Sequence, residues 1–145
     1  MVRITNTIDI EAPAERVYSV LRALDAYPSW LKHSTVYRGT RAPVARSGPS
    51  PRYEDSTMVG RMRGEVVEDV PARALQFHQR TASGSLDARI RYELGAAGQG
   101  TRLTRTGELT THGILRLAQP MLVRMAAAES ERMMTSLKAH VEAGG

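Results

Sequence analysis

The sequence predicts an α+β fold in which a curved antiparallel sheet of about seven strands wraps around a long C-terminal helix, with two short helices after the first strand. Three observations carry this expectation. The middle of the chain is a series of short segments divided by turn residues at spacings that suit hairpins better than parallel crossovers. The last third follows helical spacing. That final helix is also the only large element able to cover one face of the sheet. With 145 residues, 41% of them apolar and 24% charged, the chain has the size and composition of one globular domain, so residues 1–145 are read as a single unit.

The first strand alternates. Val2, Ile4, Ile8 and Ile10 share one face, Arg3, Thr5, Thr7 and Asp9 the other, and Asn6 interrupts the apolar side. A helix opens at Ala12-Pro13-Ala14-Glu15, where proline in the first turn costs no hydrogen bond, and Val17, Tyr18, Val20, Leu21 and Leu24 form its apolar face. Pro28 separates a second helical turn around Asp25–Trp30. A strand near Thr35–Arg38 leads into Gly39–Arg52, read as an exposed loop because it holds Pro43, Gly48, Pro49 and Pro51. Strands follow at about 53–60, 62–70, 74–81, 85–94 and 101–110, with turns at Pro71-Ala72, Ser83-Gly84 and Gly95–Gly100. From Ile114 an apolar stripe runs through Leu117, Ala118, Met121, Leu122 and Met125, then on to Met134, Leu137 and Val141. Pro120 falls inside that stripe, which predicts either a kink or a short lead-in turn before the long helix.

Composition excludes several chemistries. Without cysteine there is no disulfide framework, thiolate nucleophile, iron–sulfur cluster or cysteine zinc site. Four histidines without i, i+4 pairing give no metal site, and Gly-x-Ser-x-Gly is absent. No cofactor is expected. The N-terminus lacks the layout of a secretory signal and no apolar run is long enough to span a membrane, so the reading is a cytoplasmic protein, monomer or homodimer. The net charge of +5, with 18 arginines, raises nucleic acid as a partner. Those arginines are scattered from Arg3 to Arg132 and alternate with acids, as in Asp87–Glu93, which describes a solvated strand surface and disfavours that partner.

The stretch Ile8–Tyr18, followed by Tyr27-Pro28-Ser29-Trp30, resembles the opening of START-like proteins of the polyketide cyclase/dehydrase and lipid-transport group. Tyr53, Gly60, Gly64-Glu65-Val66 and Val70–Leu75 resemble the middle of that family, and Gly100–Leu103 with the final helix resembles its end. The resemblance covers nearly the whole chain. It implies the helix-grip arrangement and a deep, mainly apolar cavity between sheet and helix; no motif in it is catalytic.

Candidate site residues are weighed against plainer roles. Arg105 shares strand parity with Leu103 and Leu109, so it either meets a ligand carboxylate, phosphate or ketone, or is turned to solvent by a bulge near Gly107. Asn6 either bonds a ligand or water, or satisfies a backbone group. Met58, Met62, Met121 and Met125, with Phe77 and Tyr92, either line an adaptable pocket or fill the core. His78 points away from the interior if Phe77 points in, His33 is expected in solvent, and His112 lies near the expected cavity mouth, where capping by Thr110 or Thr111 is the alternative. The leading function is binding of a hydrophobic or amphipathic small molecule, as carrier or sensor. The alternative is a polyketide cyclase/dehydratase-type enzyme, for which Arg105, Tyr92 and Tyr53 are the polar groups available. A third class is a partner-binding subunit that uses the Gly39–Arg52 loop.

Overall fold

The computed structural model describes residues 1–45 and 52–144. Seven strands form one sheet: β1 (Val2–Ile10), β2 (Tyr37–Ala45), β3 (Arg52–Thr57), β4 (Gly60–Val70), β5 (Ala74–Thr81), β6 (Leu86–Ala97) and β7 (Gly100–Thr111). Their order across the sheet is β1-β7-β6-β5-β4-β3-β2, with every neighbouring pair antiparallel. Five of the six junctions therefore join strands consecutive in sequence, as short turns dictate, and only β1 reaches its partner β7 from the far end of the chain. Helix α1 (Ala14–Arg22) and a 3₁₀ segment (Leu24–Ser29) follow β1. A second 3₁₀ segment (Gly113–Ala118) leads into α2 (Gln119–Glu142), the helix that the sheet grips.

The expected α+β helix-grip architecture is thus the observed one. Two local expectations are corrected. The strand after Thr35 does not stop at Arg38: β2 continues to Ala45, so the first part of the expected Gly39–Arg52 loop is an edge strand, the one place in a sheet where a proline such as Pro43 is tolerated. Gly48, Pro49 and Pro51 lie outside the described residues. The apolar stripe from Ile114 onward is also not one helix. Its first part, through Ala118, is 3₁₀, which breaks the phase, so Ile114 and Leu117 end 85% and 86% exposed while Leu115 packs inward. Pro120 sits in the first turn of α2, the lead-in alternative and not the kink. Neither Thr110 nor Thr111 caps either helical start; the Thr111 hydroxyl bonds the Gln119 side chain instead.

The core has two parts. The larger joins Ile10, Val17, Leu21, Leu75, Leu103, Met134, Leu137 and Val141 beneath the C-terminal half of α2. The smaller gathers Met62, Leu86 and Ala88 with Val59, Leu109 and Leu115. Polar ties hold α2 to β1 and the turn after it, above the larger part. Lys138 donates to the Asp9 carbonyl, the Glu142 carboxylate accepts from the Glu11 N–H at 2.8 Å, and the Ser130 hydroxyl donates to Asn6 Oδ1 at 2.6 Å. Asn6 is therefore spoken for: it anchors the helix. Replacing Asn6 by alanine leaves the buried Ser130 hydroxyl without its partner and is expected to cost about 1–2 kcal/mol in urea unfolding. The β4–β5 turn shows local strain at Ala72, whose φ is +62°. Ala72→Gly should relieve it and raise stability by up to about 1 kcal/mol, measured the same way.

Candidate functional site

Between the two parts of the core the sheet and α2 do not meet. Large side chains would fill this gap by ordinary packing, but the inward positions here carry Ala88 on β6, Gly107 on β7 and Ala126 on α2. Ala88 pairs with Leu109 and Gly107 with Ile90 in unbroken β6–β7 register, so the two small residues are diagonal neighbours on the inward face. The result is a cavity of about 200 Å³. Its apolar wall includes Leu24, Leu31, Met62, Phe77, Ile90, Leu122, Met125 and Met133. A ladder of rings crosses the floor. Tyr53 meets Phe77 edge-on at 5.7 Å, and Phe77 meets Tyr92 at 6.0 Å.

Six of the seven candidate residues line this space together: Met58, Met62, Phe77, Tyr92, Arg105 and Met125. Met121 does not. It is 54% exposed, in the first turn of α2 at the flank of the face that carries Leu122, Met125 and Ala126. Arg105 faces the cavity because β7 keeps register through Gly107 on both sides, so no bulge turns it outward. Its Nε donates to the Tyr92 hydroxyl at 3.1 Å, and its guanidinium carbon lies 5.7 Å from the Tyr92 ring centre. His78 points outward as expected and pairs with Asp87 at 3.0 Å. His33 and His112 are exposed. Among the described residues, no group of three or more metal-ligating side chains comes together.

Sequence reasoning missed the acidic side of the cavity. In a regular strand Tyr37 and Thr40 would face opposite sides. An extra residue in β2, between the pairs Tyr37–Thr57 and Thr40–Asp55, forms a bulge at Gly39, whose φ of +119° suits glycine. Both hydroxyls then turn inward. Thr40 donates to Asp55 Oδ1 at 2.7 Å, which leaves its oxygen to accept from Tyr37 at 2.6 Å. Burial pushes the Asp55 carboxyl up to about 6 against the hydrogen bond from Thr40, which pulls the other way. Nearby, the buried Tyr53 hydroxyl donates to Gln79 Oε1 at 2.7 Å, and burial, reinforced by the Asp55 charge, holds that phenol well above its ordinary value. Glu129, also on the wall, is tied up: it accepts from Ser34 at 2.8 Å and from the Arg132 guanidinium at 2.9 Å. One signal for Asp55 was present, its shared parity with Tyr53. The bulge that supplies its partners was not legible from alternation alone.

Comparison with known proteins places this geometry. The family model described as Polyketide cyclase / dehydrase and lipid transport matches residues 1–142. The chain belongs to this family. Solved structures share its architecture at low identity. TTHA0849 from Thermus thermophilus superposes with a TM-score of 0.80 at 20% identity over 99% of each chain. A START superfamily protein from Mycobacterium smegmatis gives 0.77 at 17%, again over 99% of each. The Zhui aromatase/cyclase from a Streptomyces species gives 0.81 at 14%, over 97% of this chain and 93% of that one. At these identities the likeness is one of fold, within which sites vary. No curated protein matches the chain. No helix among the described residues is long and apolar enough to cross a membrane.

Proposed function

We propose that the protein binds a hydrophobic or amphipathic small molecule in the cavity between sheet and α2, as a carrier or sensor. The supporting observation is the cavity itself: an apolar space kept open by Ala88, Gly107 and Ala126, with a few polar groups converging on it. An uncharged fluorescent probe, N-phenyl-1-naphthylamine, tests this. Saturable one-to-one binding is expected in the wild type and loss of it in Ala126→Phe, which fills the space. Absence of saturable binding, or an unchanged affinity in a folded Ala126→Phe, would sink the reading.

One observation favours a second reading, cyclase/dehydratase-type chemistry. Aldol closure of a ketone chain needs a base to take an α-proton and a donor for the developing enolate oxygen. Asp55, with its carboxyl near 6, has the basicity for the first role, and Tyr53, on the same face of β3, carries a hydroxyl for the second. If this reading holds, the protein accelerates intramolecular aldol closure of a short diketone and both Asp55→Asn and Tyr53→Phe remove the acceleration. A rate equal to buffer alone for the wild type counts against it.

A further inference from the structure

The cavity holds one acid and one base that do not neutralise each other. Asp55 lies on β3 and Arg105 on β7, four strands apart, or roughly 19 Å measured along the sheet at ~4.8 Å per strand. Among the described residues the Asp55 carboxyl has one hydrogen-bond partner, Thr40, and no cation within ion-pair distance. The Arg105 guanidinium spends only Nε, on Tyr92, and forms no ion pair among them, so its terminal nitrogens keep their donors. The other charged pair on the wall behaves differently, since Glu129 and Arg132 bond each other. On the wall of one apolar space, this half-buried carboxyl and half-buried guanidinium find no charge of the described residues to give them the compensation that desolvated charges need. A ligand bearing the complementary groups would provide it.

Resting on the small-molecule reading above, we propose that the cavity selects a two-ended amphiphile. A hydroxyl at one end donates to Asp55, and a carboxylate or polarised carbonyl at the other accepts from the fork of Arg105, with an apolar body between them. The bulge at Gly39 serves this selection. Thr40, itself held by the Tyr37 hydroxyl, donates to one carboxyl oxygen, which leaves the other as the acceptor for the ligand. At the opposite pole Tyr92 fixes the guanidinium through Nε, which orients the terminal nitrogens for a bidentate contact.

Three flexible probes separate the two poles: decanol, decanoate and ω-hydroxydecanoate, titrated calorimetrically at mildly alkaline pH against wild type, Asp55→Asn and Arg105→Gln. Circular dichroism confirms that both variants are folded, and asparagine and glutamine keep the size of each site. The expected pattern has ω-hydroxydecanoate binding wild type about tenfold more tightly than either single-ended probe. Asp55→Asn should erase that advantage while leaving decanoate within about twofold, and Arg105→Gln should weaken both carboxylates but spare decanol. Equal affinities for all three probes, or an Asp55→Asn loss that is the same for each, would overturn the two-ended selection and leave small-molecule binding standing. If none of the three binds and N-phenyl-1-naphthylamine fails as well, both proposals fall.

Discussion

Gly64→Ala is expected to destabilise the protein by about 3 kcal/mol, a large effect for one added methyl group. Gly64 lies on β4, directly opposite Tyr53 on β3. The Tyr53 ring lies flat over it: a Cβ built there would stand 2.2 Å from Cζ, 2.5 Å from Cε1 and 2.6 Å from the hydroxyl oxygen. A flexible side chain could step aside. Tyr53 cannot do so cheaply, because it is 4% exposed, packs edge-on against Phe77 and donates to Gln79. The methyl group must push the ring from its place, losing that hydrogen bond and disturbing the cavity floor. Urea unfolding measures the loss, and Gly64→Ala in a Tyr53→Leu background supplies the check. Once the ring is gone the alanine should cost less than about 1 kcal/mol. A full cost in both backgrounds would show that the glycine acts through its backbone and not through Tyr53.

Asp55→Asn is expected to raise stability at neutral pH, by about 2 kcal/mol, and to do so in a pH-dependent way. The ordinary value of an aspartate is 3.8, and burial lifts Asp55 to about 6. The folded protein therefore holds this proton more tightly than the unfolded chain does, and protonation favours folding. The stability contributed through Asp55 is greatest below about pH 4, falls as the pH rises toward 6 and stays low above it. The gap corresponds to at most about 3 kcal/mol, which contact with the cavity reduces. Asparagine keeps the shape and an oxygen for Thr40 to donate to, without the charge. The measurement is the difference in unfolding free energy between wild type and variant, followed from about pH 4 to about pH 8. It should widen across the window between about 4 and 6 and then level off. A flat difference, or a less stable variant at neutral pH, would contradict the account. A carboxylate retained at such a cost is the signature of a group kept for what it binds or does, and the same residue is the acidic pole of the proposed ligand site.

The two poles of the cavity also show where reading the sequence succeeded and where it stopped. Alternation in β1, β6 and β7 named the inward faces correctly, because a strand with one buried face has no freedom to slip by one residue. For Arg105 parity left two readings open, inward or turned to solvent by a bulge near Gly107, and only the unbroken register through Gly107 decided between them. The candidates on the strands, Met62, Phe77, Tyr92 and Arg105, share one space, and Met125 reaches it from the inward face of α2. Met121 falls outside it although it shares α2 with Met125: it sits in the first turn of the helix, at the flank of the inward face, and is left half-exposed there, while the 3₁₀ winding before it turns Ile114 and Leu117 out of phase.

The sequence by itself determined the order of the elements, the hairpin topology and the long covering helix, since periodicity and turn chemistry are local properties that neighbours a few residues away enforce. Only the tertiary structure decided the site. The space under α2 exists because Ala88, Gly107 and Ala126, distant in the chain, are brought together. The acidic pole exists because one extra residue at Gly39 turns Thr40 toward Asp55 on the adjacent strand. A void and a bulge are both relations between strands, and neither is written in the pattern of any one of them.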